Sequence, residues 1–348
     1  MSLCVDIKKK IGEFELDVSF EEDREILAIL GASGCGKSMT LKCIAGIERP
    51  DSGRIELDGR ILYDSEKGIN LSPQKRKVGY LFQNYALFPN MTVRGNIFCG
   101  MRGMKDKGQR EKKFRELISL MKLEGFENRK PAELSGGQQQ RTALARILAS
   151  EPEILMLDEP FSALDAHLRD SLKIELRDLL RNYGKTVLLV THSRDEAYNM
   201  SAKLGIMFDG RMKGTRPVKQ AFADPGTAQA AAITGCKNIA AARRIGPFEA
   251  EVPAWGITLR TAKELREDLA AVGIRAHYFR PGSGINAFPV IFTEEMEEPF
   301  ETILQFRYAG QPADSPSIWW RLPKEKKPQA FPKEIGISPV NVLPLYEE

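Results

Sequence analysis

The residues Gly31 to Ser38, GASGCGKS, carry the strongest chemical signal in the chain. They fit the spacing G-x-x-x-x-G-K-[S/T], in which glycines let backbone N–H groups turn inward around phosphate oxygens. The helix that follows aims its positive end at the same anion. Gly31, Ala32, Ser33, Gly34, Cys35 and Gly36 would form the cradle, Lys37 would reach the β and γ phosphates, and the Ser38 hydroxyl would ligate Mg²⁺. An ordinary glycine turn is the bland alternative. The apolar run Ile26 to Leu30 before the loop and the helical pattern after it argue against that alternative. A nucleoside triphosphate, ATP or a relative, and Mg²⁺ are therefore expected. Cys35 sits beside a helix start, a setting expected to lower its thiol pKa and to let alkylation block the nucleotide.

A second signal is ILMLDEP, Ile154 to Pro160, an apolar strand ending in two carboxylates. Asp158 would hold the hydration shell of the metal, and Glu159 would orient and polarise the attacking water. Adjacent carboxylates at a strand end are also common as plain surface charge, so this pair gains its meaning from the phosphate loop. A third signal is LSGGQQQR, Leu134 to Arg141, which opens a helix carrying Ala143, Leu144, Ile147 and Leu148. Ser135 can cap that helix, and Gly136 and Gly137 expose N–H groups at its positive end, making a second anion site.

With these three segments in this order, the chain resembles the ATPase subunits of ABC transporters over about residues 1–230. The resemblance implies an ATP site that includes Met39 and Gln138 as well. Met39 stands where Thr is common, which leaves the α-phosphate contact to its backbone N–H. It also implies that Gln83 of YLFQ senses Mg²⁺ and the γ phosphate, that Asp165 of SALD crosses a dimer interface, and that His192 of VTHS contacts the γ phosphate. The implied assembly is a head-to-tail homodimer holding two ATP molecules, on the cytoplasmic face of the membrane. It would drive separate permease subunits served by an extracytoplasmic solute-binding protein. A short permease helix would lie near Gln83 and Asn84 to Val93. The family usually stacks adenine on an aromatic residue near the amino terminus. Ile11 stands there in this chain, with Phe14 as a substitute. The stretch from Asp64 to Ile97 looks most like the ATPase subunits of molybdate importers, with sulfate importers as close relatives.

The elements that must position these residues are legible as an α/β alternation. ILAIL, KVGYLFQ, EILMLDE and TVLLVTH read as buried strands whose polar ends gather at one edge of a parallel sheet. Ile55 to Tyr63 reads as a hairpin turning at Asp58-Gly59. Leu168, Leu172, Leu176, Leu179 and Leu180 form a helical stripe that Gly184 would end. After about Thr234 prolines and aromatic residues become frequent, and only Ala262 to Val272 reads as a helix. The expected organisation is an ABC-type P-loop NTPase domain over 1–235, with a helical subdomain at about 86–155. A small β-rich, OB- or barrel-like domain over 236–348 would follow. There VGIRAHYFRPG resembles the β-barrel regulatory extensions of importer ATPases; oxyanion sensing and simple dimer stabilisation both stay open. EEMEE (Glu294 to Glu298) and KEKK (Lys324 to Lys327) read as solvated turns.

Composition sets the bounds. The 348 residues suggest about two domains, at ~150 residues each. The formal charge of +4, from 51 basic and 47 acidic residues, is too balanced for a dedicated nucleic-acid binder. No apolar run approaches the ~18 residues of a membrane span. The amino terminus lacks the pattern of an export signal, and the five scattered cysteines contain no CxxC, so a reducing compartment is expected. A soluble, non-transport ABC ATPase is a rival, but no heptad insertion separates Ser38 from Leu134. A phosphate-loop kinase is another, and it would have no use for LSGGQ.

Overall fold

The computed structural model describes residues 2–162, 166–282 and 284–347, without the side chains of 166–168. Asp165 therefore lies outside the described residues. The chain forms two compact units, Met1–Val218 and Lys219–Glu348. This division falls earlier than the 235/236 border expected from the change in composition. The helix Ala228–Ile233 belongs to the second unit because Ala231 packs with Cys236, Ala271, Leu343 and Leu345.

In the first unit the strands are β1 (Ser2–Ile11), β2 (Phe14–Asp23), β3 (Ile26–Leu30), β4 (Ser52–Leu57), β5 (Arg60–Asp64) and β6 (Ile69–Asn70). They continue with β7 (Val78–Leu81), β8 (Ile154–Asp158), β9 (Val187–Thr191), β10 (Lys203–Ile206), β11 (Arg211–Lys213) and β12 (Arg216–Pro217). One sheet, ordered β11-β2-β1-β4-β5-β6, is antiparallel apart from β11. The other, ordered β12-β10-β3-β9-β8-β7, is parallel apart from β12. Every residue of β8 and β9 is buried, as a parallel strand covered on both faces requires. The Asp58-Gly59 hairpin forms as expected, with φ of 52° and 77° at the two turn residues.

The helices of this unit are α1 (Lys37–Ala45), α2 (Pro73–Arg76), α3 (Val93–Gly100), α4 (Lys107–Leu120), α5 (Gly136–Ala149), α6 (Ala166–Tyr183) and α7 (Arg194–Met200). Helices α3, α4 and α5 pack through Ile97, Phe114, Leu117 and Leu144, inside the span expected for a helical subdomain. On α6 the predicted stripe is buried at Leu172, Leu176 and Leu180 and half-buried at Leu179.

Arg76 is fully buried, and its guanidinium ties α1 to the approach of β7. It donates to the carbonyls of Cys43 (2.8 Å) and Ile44 (2.7 Å) at the end of α1, to the Leu71 carbonyl (2.8 Å) and to Asn70 Oδ1 (2.8 Å). A cation at a helix carboxyl terminus both neutralises the dipole and pairs the last carbonyls. Each buried acceptor left unpaired costs ~1–3 kcal/mol. Arg76→Met should therefore lower stability by about 3 kcal/mol, seen as a lower urea midpoint.

The second unit is β-rich. Leu269–Ile274 pairs on one side with Asn238–Ala241 and on the other with Val342–Tyr346. A second sheet joins Arg243–Gly246, Glu249–Val252 and Ile257–Arg260. A third runs Arg280–Pro281, Glu334–Gly336, Ala287–Glu297, Glu301–Tyr308, Ile318–Pro323. Trp255, Phe279, Phe306, Tyr308 and Trp320 fill its core, with Phe279 and Phe306 edge to face at 5.3 Å.

Two expectations fail here. The helix read over Ala262 to Val272 does not form: 262–268 is a turn and Leu269–Ile274 is a strand. Leu265 and Leu269 do reach one core, but by a bend and not a helical face, and pairing on both sides decides the strand. The EEMEE run is likewise no turn, since Glu294 to Glu297 pair with Gln305 to Thr302. The KEKK segment does turn, as a short 3₁₀ element at Lys324–Lys326.

Candidate nucleotide site

The loop after β3 bends into α1 through Gly36, which has φ of 107° and holds the position before the first helical residue. A side chain there would meet Leu16 Cδ1 at 2.8 Å, and one at Gly31 would meet the Met207 carbonyl at 2.4 Å. Glycine is thus required for the chain to pass, and the cradle stays open to a ligand on its other side. Lys37 donates to the carbonyls of Gly31 (2.9 Å) and Ala32 (2.8 Å), which fixes the ammonium inside the curve of its own loop.

Ser38 Oγ donates to Asp158 Oδ1 at 2.7 Å, joining the first turn of α1 to the end of β8. The other carboxylate oxygen accepts from Tyr80 Oη at 2.8 Å. Burial, reinforced by the Asp158 charge, pushes the Tyr80 phenol far above its usual range, so it keeps its proton.

At the next residue the chain reverses. Glu159 has φ of 46°, a left-handed conformation that costs a non-glycine residue energy. Its N–H donates to the Val190 carbonyl at 3.0 Å, and its carbonyl accepts from the N–H and hydroxyl of Ser162 at 3.1 and 2.9 Å. The side chain is thereby brought to β9's end, where Glu159 Oε2 lies 3.2 Å from His192 Nδ1. His192 is held in turn between β9 and α7, whose Ser193 caps it while Thr191 bonds Glu196 at 2.5 Å.

Lys37, Ser38 and Glu159 border a groove of about 540 Å³, which Asp158, Tyr80 and His192 do not line; its size is within the ~300–1,000 Å³ of small-ligand sites. Of the residues singled out in the sequence, Ser33, Gly34, Gly36, Lys37, Ser38, Met39, Gln83 and Glu159 line it and Gly31, Ala32, Cys35, Asp158 and His192 do not; Ile11 and Phe14 at the β1–β2 turn line it as well. Sequence reasoning missed Lys42, which is one turn after Ser38 on α1 and lines the same groove. It also missed Tyr80, for which no local motif exists. The oxygen donors Ser38, Asp158 and Gln83 suit a hard cation such as Mg²⁺, which is usually bound by one or two protein oxygens with phosphates and water.

Cys35 corrects one expectation. The thiol is buried, and burial raises its pKa despite Lys37 nearby. The field of the helix start loses to desolvation, so Cys35 is not the activated thiol its position suggested.

The LSGGQ segment stands apart. Ser135 caps α5 by accepting from the Gln138 N–H at 3.3 Å, while Gln138 Oε1 accepts from the Ser135 N–H at 2.9 Å. None of Ser135, Gly136, Gly137 and Gln138 lines the groove of their own chain.

A family model described as "ABC transporter" matches residues 15–162. The molybdenum import ATP-binding protein ModC of Rhodospirillum rubrum is 34% identical over 290 residues, covering 80% of this chain and 78% of that protein. This chain belongs to the ABC transporter family. The ABC assignment extends to the sulfate/thiosulfate import ATP-binding protein CysA 2 of Chromobacterium violaceum, 42% identical over 69% of this chain and 64% of that one. It extends also to the spermidine/putrescine import ATP-binding protein PotA of Oleidesulfovibrio alaskensis, 43% identical over 62% of this chain and 56% of that one. The matched region of the ABC chain thus spans less than two thirds of the length of these last two relatives. Among solved structures, a dimeric ATP-binding cassette in a post-hydrolysis state bound to ADP and Pi matches with a TM-score of 0.52 and 30% identity. That match covers 63% of this chain and 99% of the other. Among the described residues, no helix of the ABC chain is long and apolar enough to cross a membrane.

Proposed function

We propose that the chain is the ATP-hydrolysing subunit of an ABC import system, acting as a homodimer that holds two ATP molecules and drives a separate permease. The observation that carries this reading is that the phosphate loop and the tip of α5, the two elements read as anion sites, do not share a groove within one chain. Lys37, Ser38, Gln83 and Glu159 share one groove, while the capped tip of α5 at Ser135 faces elsewhere and is exposed. A head-to-tail pairing of two copies uses both, each groove being closed by the partner's α5.

In that arrangement Lys37 and the loop N–H groups bind the phosphates, and Phe14 with Ile11 offers the adenine an apolar surface. Ser38, Asp158 and Gln83 would hold Mg²⁺, which would supply charge neutralisation to the phosphates when bound. Glu159 accepts a proton from the attacking water, and His192, fixed against Glu159, holds the γ phosphate. Release of phosphate removes the ligand shared between subunits, and the dimer opens.

The permease contact is assigned to the loop after Gln83, where Phe88 (42% exposed) and Met91 (40% exposed) face solvent. Arg146 of α5 donates to the carbonyls of Ala86 (2.8 Å) and Tyr85 (3.0 Å), so a push on this loop reaches the helix that carries Ser135. The chain would sit peripherally on the cytoplasmic face of the membrane, with the solute-binding protein acting through the permease and no nucleic acid involved. The second unit serves as a regulatory or dimerisation module.

The cargo is molybdate or a related oxyanion. The resemblance of Asp64 to Ile97 supports this; the relatives themselves do not choose, since a molybdenum import protein and a spermidine/putrescine import protein each match over 80% of this chain. Sulfate, polyamine and iron are the alternatives. Vesicles carrying this chain with its permease and solute-binding protein should take up molybdate on addition of ATP. Tungstate should compete and spermidine should not; competition by spermidine alone would overturn the oxyanion assignment, and uptake without ATP would overturn the motor.

A further inference from the structure

We infer that Tyr80 is a positioning residue for Mg²⁺ binding, acting through a hydrogen-bond chain from its phenol to Asp158 and from Asp158 to Ser38. The inference rests on the nucleotide reading above and adds a residue that neither the phosphate loop nor the carboxylate pair contains.

Asp158 is 6% exposed and, as a carboxylate, only accepts hydrogen bonds. Its two oxygens have separate donors: Tyr80 Oη at 2.8 Å on Oδ2 and Ser38 Oγ at 2.7 Å on Oδ1. The terminal torsion of an aspartate is broad and nearly two-fold, so one bond alone would not fix the plane of the carboxylate. The phenol supplies the second point. With both oxygens anchored, Ser38 must be the donor in its pair, and its lone pairs are left for a cation.

The support behind Tyr80 is rigid. The residue is 9% exposed, its ring lies 4.4 Å from that of Phe82, and β7 pairs in parallel with β8, Tyr80 beside Met156 and Leu81 beside Leu157. The same short segment continues to Gln83, which lines the groove. One strand and the loop that leaves it therefore deliver both the group that orients Asp158 and a direct groove residue. Partners that orient metal ligands in this way commonly change metal affinity or activity 10- to 100-fold when lost.

Tyr80→Phe removes one hydroxyl and keeps the ring, so the core stays filled. In the full-length protein, a fluorescent ATP analogue should bind with unchanged affinity in EDTA. The Mg²⁺ concentration giving half of the metal-dependent gain in affinity should rise about ten-fold in the variant. A melting temperature within a few degrees of wild type would accompany the effect. An unchanged Mg²⁺ half-saturation in Tyr80→Phe would overturn the inference and leave the nucleotide reading standing. A wild-type protein showing no Mg²⁺-dependent gain at all would overturn both.

Discussion

With Glu159 replaced by glutamine, ATP turnover should fall about 10²- to 10⁴-fold, the range for loss of a general base. ATP binding should survive. Glutamine keeps the length of the side chain and tolerates the left-handed backbone at this position about as well as glutamate does. What it loses is the proton acceptor. Hydrolysis then stops at the state in which nucleotide still bridges two subunits, and the variant should accumulate as a dimer with Mg-ATP on size exclusion with light scattering. Hydrolysis at the wild-type rate would move the base to another residue. A strictly monomeric variant at high concentration would remove the shared site itself.

The second large effect is a recovery. Lys37→Ala disables the phosphate loop, and Ser135→Arg blocks the tip of α5; each variant alone should lose nearly all ATPase activity. If the two elements act across subunits, mixing the variants restores something neither possesses. In a mixed dimer one site pairs the two damaged elements, and the other pairs the intact loop of one chain with the intact tip of its twin. Random exchange makes half of the dimers mixed, so about a quarter of the wild-type sites should reappear. Sites built within a single chain would give no recovery at all. The capped Ser135 is exposed and outside its own groove, which is why recovery is the expected result.

The parts of this site that were legible in the sequence are those whose chemistry is local. The glycines and lysine of GASGCGKS act within one loop, and a parallel sheet brings the ends of its strands to one edge whatever the sequence between them. Asp158 and Glu159 could therefore be placed by reading strands, whereas Gln83 and His192 took their roles from the family resemblance, their positions at strand ends meaning little alone. Tyr80 could not, because its role comes from a neighbouring strand across the sheet and from the reach of its side chain. Cys35 was misread for the opposite reason: the helix start is visible in the sequence, whereas the burial that outweighs it is a property of the packed loop. The same holds for Leu269–Ile274, whose helical spacing is overruled by partners on both sides that lie far away in the chain. The role of Asp165 rests on resemblance alone.

The strand Ala287–Glu297 has a consequence for solubility. Beyond Val290 it is paired with Glu301–Tyr308 on one side, and no described strand covers the other. Such an open edge is where identical molecules can zip together into fibres. Here Glu294, Glu295 and Glu297 follow one another along it, and Lys327 and Lys324 pair with the latter two. Stacking copies in register would set each carboxylate over its own image and break those pairings, so the acidic run makes such stacking costly.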